Sequence, residues 1–141
     1  HADLHRFVKL LCERRGLRTV KHEHERTSLS AMLRSAIKAW HGIKLNQPDW
    51  SDHSHSVALG VELLSEGLHF HVILNAYWES LEFELPKSAC GAPWRRWIDT
   101  SLDSPNDIVP WETAPTISGN TYCVASRTVA MLFGPSQLGV V

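Results

Sequence analysis

VALGVELLSEGLHFHVIL, residues 57–74, alternates apolar residues twice in succession. Val57, Leu59, Val61 and Leu63 recur at every second position, against Gly60 and Glu62. Leu68, Phe70, Val72 and Leu74 repeat the rhythm, with His69 and His71 between them. A period of two places alternate side chains on opposite faces of a strand, so this stretch predicts two antiparallel strands separated at Gly67. The same alternation predicts that Phe70, Val72 and Leu74 point inward and that His69 and His71 sit on a wet face.

C-terminal to this stretch, Leu81, Phe83 and Leu85 alternate with Glu82 and Glu84. Further strands are expected over 94–99, 121–124 and 128–133, around an Asp/Pro/Ser/Asn-rich loop at 100–120. Short alternating strands at this spacing predict a two-sheet antiparallel sandwich. On the N-terminal side the period is helical. Leu4, Phe7, Val8, Leu10 and Leu11 predict a helix over 3–15, opened by Asp3 and closed by Gly16. A loop is expected over 17–26. A second short helix follows, capped by Thr27 or Ser28, with Leu29, Met32, Leu33, Ala36 and Ile37 along one side and Gly42 just past its end. The fold class is therefore mainly β, an antiparallel β-sandwich with two N-terminal helices. The division is a helical segment at 1–39 and a sandwich domain at 40–141.

The 141 residues are 43% hydrophobic and 21% charged with a net charge of -1, which suits one ordinary domain and argues against a surface built for nucleic acid. No apolar run approaches the ~20 residues of a membrane span. Cys12, Cys90 and Cys123 are widely spaced, without a Cys-x-x-Cys pair, and read as reduced thiols of a cytoplasmic protein. His53, His55, His69 and His71 stand in two pairs that suggest a transition-metal site. No carboxylate pattern completes one, so they read as solvated polar positions, and neither a metal nor another cofactor is expected. The carboxylates of 99–107 suggest calcium, yet the segment lacks the glycine and spacing of an EF-hand loop and reads as structural turns. Ser101, Ser104 and Ser126 lack the Gly-x-Ser-x-Gly elbow of a nucleophile.

Four stretches carry a resemblance: WHGIKLNQPDWSDHSHSVAL at 40–59, HFHVILNAYWESLEFELP at 69–86, WRRWIDTSLDSPNDI at 94–108 and SRTVAMLF at 126–133. In content, order and separation they resemble the C-terminal end of bacterial glycogen debranching proteins of the isoamylase type, in the α-amylase superfamily. The N-terminal helix looks like the last helix of that family's catalytic barrel. The resemblance implies a parent enzyme that hydrolyses α-1,6 branch points in glycogen-like glucans. Such retaining chemistry needs two carboxyl groups about 5–5.5 Å apart. The motifs that supply them in the family lie upstream of anything in this chain, so no catalytic residue is assigned here.

The implied partner is the catalytic barrel, met by one side of the sandwich and by the stripe Leu4, Phe7, Val8 and Leu11. Without that cover the helix is expected either to fold back on its own sandwich or to pack on a second copy, including by a helix swap, with association favoured. The six tryptophans are Trp40, Trp50, Trp78, Trp94, Trp97 and Trp111. They read as core or domain interface, with Trp50, Trp78 and Trp111 as candidates for contact with α-glucan and Trp50, in NQPDWSD, the foremost. A single aromatic offers little contact, so glucan binding by the chain alone is expected to be weak or undetectable. A free-standing carbohydrate-binding module and a vestigial structural fragment are the competing readings.

Overall fold

The computed structural model describes residues 1–22, 28–88 and 91–136. It begins with α1 (Ala2–His22) and α2 (Leu29–Ser35). Seven strands follow: β1 (Ile37–His41), β2 (Ser56–Leu63), β3 (Leu68–Asn75), β4 (Leu81–Glu84), β5 (Arg95–Asp99), β6 (Thr121–Val124) and β7 (Thr128–Pro135). One sheet has the order β1-β2-β3-β7-β5, the other pairs β4 with β6, and every pairing is antiparallel.

The expected strands are present, and three N-terminal expectations are corrected. α1 does not stop at Gly16, and its extension takes up residues 17–22, which were expected to be loop. A glycine inside a helix costs about 1 kcal/mol relative to alanine but keeps its backbone N–H, so it does not terminate one by itself. Residues 23–26 of the expected loop, Thr27 and Cys90 lie outside the described residues. Ser28 does cap α2, its hydroxyl accepting from the Ala31 N–H at 3.1 Å. Ala36 and Ile37 were expected on this helix, but α2 ends at Ser35 and Ile37 opens β1. Pairing with β2, from Ile37 opposite Glu62 to His41 opposite Ala58, supplies the backbone bonds that local sequence cannot reveal. Gly42 closes this strand and does not end a helix. A Cβ there would collide with the Gln47 carbonyl oxygen, because the loop after β1 folds back on its α-carbon.

The orientation of the large sheet is the main correction. Register partners share a face, so three cross-strand rows look inward: Gly60–His71–Leu132, Ala58–Ile73–Ala130 and Ser56–Asn75–Thr128. They pack on Phe83, Leu85, Trp94 and Val124, and Ile73, Phe83 and Leu132 are fully buried. His71 is thus a core residue with no solvent exposure, and the expected wet face is the interior. The outward rows are Val61–Phe70–Phe133, Leu59–Val72–Met131 and Val57–Leu74–Val129. The physical reason is steric. β4 and β6 bring large side chains onto β2, β3 and β7, and only the face with Ala58, Gly60 and Ala130 has room for them.

α1 covers one end of the outward face. A register shift between Arg96 and Ile98 leaves Trp97 as an extra residue in β5. Trp97 then joins Phe70, at 6.4 Å between ring centroids, and Trp111, at 5.5 Å. Trp111 stacks on Phe133 at 4.3 Å, and the Arg14 guanidinium lies 3.3 Å over its ring. Leu10 borders the same hollow, and Arg6 donates to the Asp107 carboxylate, to Ser104 Oγ at 3.0 Å and to the Ile108 carbonyl at 3.1 Å. Arg6, Leu10 and Arg14 stand four apart, on one face of the helix. Of the expected apolar stripe, Leu4 is 65% and Val8 48% exposed, whereas Phe7 and Leu11 are half-buried.

Candidate functional site

The exposed aromatic side chains lie on β1, in the loop after it and in the segment after β3. Trp40, on β1, faces outward and meets Trp50 edge-on, with centroids 5.4 Å apart and planes at 75°. Trp50 lies in the loop between β1 and β2 and is 66% exposed. Asp49 Oδ1 accepts from the Ser51 N–H at 2.9 Å, and the Ser54 N–H donates to the Ser51 carbonyl at 3.0 Å, so two successive turns hold this loop. Hydrogen bonding from Ser51 keeps the Asp49 carboxyl below its ordinary range. Asp52 and His53 are exposed beside it.

A second aromatic group is linked to the first through this loop. His55 stacks on Tyr77 at 6.0 Å, and Tyr77 lies 4.1 Å from Trp78, which is 64% exposed. The segment from Tyr77 to Ser80 leads from β3 into β4, and Asn75 holds it. The Asn75 side chain accepts from the Tyr77 N–H at 3.0 Å and donates to the Glu79, Val124 and Ala125 carbonyls at 3.0, 3.1 and 2.9 Å. The His55 carbonyl accepts from the Ala76 N–H at 2.8 Å, which fixes the two loops to one another. Asn75 has no periodic signature, and sequence reasoning passed over it.

Of the three candidate tryptophans, the structure brings Trp50 and Trp78 into these two groups with exposed rings. It places Trp111 elsewhere, half-buried between Phe133 and Arg14. Trp40, Tyr77 and His55 were missed as site residues. Trp40 falls where the sequence reads as the end of a helix, and Tyr77 and His55 become neighbours only through strand pairing.

The interior behind the site holds three imidazoles. His41 accepts from the Asn46 N–H at its Nδ1, at 2.9 Å, and lies 5.5 Å from His71 between centroids. His69 and His71 both pack on Trp94, at 4.9 and 5.9 Å. Neither ring nitrogen of His71, nor Nδ1 of His69, has a hydrogen-bond partner among the described residues. Burial lowers the pKa of all three, and that of His71, with His41 and His69 as neighbours, falls to about 3. Among the described residues no set of three His, Cys, Asp or Glu side chains is arranged to hold a metal ion.

Within 99–107 the carboxylates of Asp99 and Asp107 serve the fold. Asp99 accepts from the Ser101 N–H and hydroxyl at 3.0 and 2.6 Å, and from the Tyr122 hydroxyl at 2.6 Å. Burial, together with this bond, raises the Tyr122 phenol above its ordinary range. Asp107 takes Arg6 and its neighbour's Ile108 N–H. Cys12 and Cys123 are free thiols at the surface. No helix among the described residues is long and apolar enough to cross a membrane.

Two antiparallel sheets around one core, with a helix laid on the outward face, define this chain as a β-sandwich domain. It belongs to the isoamylase family's C-terminal domains: the family described as "Isoamylase 1-3, C-terminal" matches residues 39–133. The match takes in β1 to β7 almost entirely and both aromatic groups. "Isoamylase SU1, chloroplastic" of Zea mays is 29% identical over 108 residues, 77% of this chain and 13% of that protein. The chain therefore spans a small part of that relative's length. A GH30 endoxylanase from Clostridium papyrosolvens is similar with a TM-score of 0.39 and 9% identity, over 61% of this chain and 22% of that one. At that level the likeness bears on neither function nor mechanism.

Proposed function

We propose that the chain is the non-catalytic C-terminal domain of a debranching enzyme that hydrolyses α-1,6-glucosidic branch points in glycogen-like glucans, and that it packs on the enzyme's catalytic barrel. The family match supports the parent activity. The observation that carries the barrel contact is the two-sided use of α1. Its Arg6–Leu10–Arg14 face grips the sandwich, while Leu4 and Val8 are left 65% and 48% exposed. A soluble surface gains from covering such a stripe, and covering ~400 Å² of apolar area corresponds to roughly 10 kcal/mol before association costs. The attached helix favours this reading over a free-standing module.

Two results are expected. The purified chain should release no linear chains from amylopectin; release, with a contaminating hydrolase excluded, would remove the non-catalytic reading. The chain alone should also self-associate at high micromolar concentration in sedimentation, and Leu4→Lys with Val8→Lys should return it to a monomer. Wild-type chain that stays monomeric, or a doubly substituted chain that associates equally, would remove α1 as the docking surface.

A further inference from the structure

We infer that the exposed aromatic surface of the sandwich is an α-glucan site with two contact points, the Trp40–Trp50 pair and the His55–Tyr77–Trp78 group. The inference deepens the proposed function, since the ligand class rests on that reading. The location and the mode of binding rest on the geometry.

Three observations carry it. First, the rings are presented and held. Trp50 and Trp78 are 66% and 64% exposed, yet each is buttressed by a second ring, Trp40 at 5.4 Å and Tyr77 at 4.1 Å. A ring braced by a neighbour loses less conformational freedom when a ligand lands on it, which is the main cost of weak surface binding. Second, the surroundings are polar. Asp49, Asp52, His53 and Glu79 are exposed next to the rings in sequence. The core of a protein–protein interface is depleted of charged side chains, whereas a sugar ring needs an apolar face flanked by groups that bond its hydroxyls. Third, the two points are joined. Trp50 and His55 are separated by a short segment that turns at Ser51–Ser54, and the His55 carbonyl bonds to Ala76, just before Tyr77. By chain reach, the points are no more than about 15–20 Å apart, which a chain of several glucose units spans. Two weak contacts on one tether act together, so affinity should rise with glucan length. Trp111 takes no part, being covered by Arg14 and Phe133.

The sequence alone offered Trp50, Trp78 and Trp111 as separate candidates, with Trp50 foremost, and binding that is weak or undetectable. Two braced groups sharpen that expectation to detectable, length-dependent retention on a polymer. The test is affinity electrophoresis of the 141-residue chain in gels holding amylopectin or a soluble β-1,4-glucan. It is paired with tryptophan-fluorescence titration by maltotriose and maltoheptaose, and circular dichroism confirms that each variant is folded. Wild-type chain should be retarded by amylopectin, less by the β-glucan, and should bind maltoheptaose more tightly than maltotriose. Trp50→Ala and Trp78→Ala should each weaken retention about threefold to tenfold, and the double substitution should abolish it. Cys123→Ser, at an exposed thiol on β6, should leave retention unchanged. A folded wild type that runs unretarded overturns the site, as does equal retention of the double variant. Equal retention by both polymers overturns the α-glucan assignment. Because the docking role of α1 is read separately, by sedimentation of the Leu4 and Val8 variants, either reading can fail while the other stands.

Discussion

Asn75→Leu is expected to lower the unfolding free energy by about 3–5 kcal/mol, the largest single-site loss anticipated outside the apolar core. The side chain is only 2% exposed; its oxygen accepts one main-chain N–H, and its two N–H groups are shared among three main-chain carbonyls. Leucine has the same branching and is somewhat larger, so no cavity forms. The cost is polar: the Tyr77 N–H loses its acceptor and the Glu79, Val124 and Ala125 carbonyls lose a donor. A buried group left without a partner costs about 1–3 kcal/mol, which applies in full to the Val124 carbonyl and in part to the half-buried others, where water recovers some of the loss. Asn75→Asp is no rescue, because it keeps the acceptor for Tyr77 but turns oxygens toward three carbonyls. Urea denaturation followed by tryptophan fluorescence gives the measurement. A loss below about 1 kcal/mol would mean that Asn75 does not hold the two sheets together here. A partly unfolded rim should also displace Tyr77 and Trp78.

Acid should destabilise the domain through His71, and the size of the effect follows from linkage. His71 is fully buried, and its pKa falls to about 3 in the folded chain, against about 6.5 when unfolded. A lowered folded pKa means that the unfolded chain takes up the proton first. The stabilisation is therefore complete above pH ~6.5, declines as pH falls below that value, and levels off only near the folded pKa. The decline approaches about 1.4 kcal/mol per pH unit, or roughly 2–3 kcal/mol by pH 4.5. His41 and His69, whose pKa values are lowered in the same direction, add to the slope; Glu62 opposes it beside His69, raising that imidazole's pKa. Urea midpoints measured from pH 7.5 to 4.5 on wild type and His71→Leu test this. The variant should be near wild type or more stable at pH 7.5, since it removes two buried ring nitrogens without partners. It should also show a flatter pH profile. Equal profiles would assign the acid sensitivity to other groups.

Periodicity was sufficient for three of the strands. Alternation at 57–63, 68–74 and 81–85 marks β2, β3 and β4, because a two-residue period is a local property of the chain. The cap at Ser28 was equally legible, as a hydroxyl one residue before a helical run. Motif content carried the family, and the match over 39–133 agrees with it.

Which face of the sheet is inside was decided only by the tertiary structure. Both faces of β3 bear large side chains, and no local rule says that His71 and Ile73 will be buried while Leu74 is 43% exposed. The choice depends on β4, β6 and Trp94, which need the small residues Ala58, Gly60 and Ala130 opposite them. For the same reason IKAWH at 37–41 reads as the end of a helix until β2 offers it a partner. The aromatic groups follow the same logic. The sequence supplied Trp50 and Trp78 as separate candidates, but their braces, Trp40 and Tyr77, arrive through a loop that folds back and a strand pairing. Composition and period are set by neighbours in sequence, whereas sidedness and clustering are set by whatever packs against the strand.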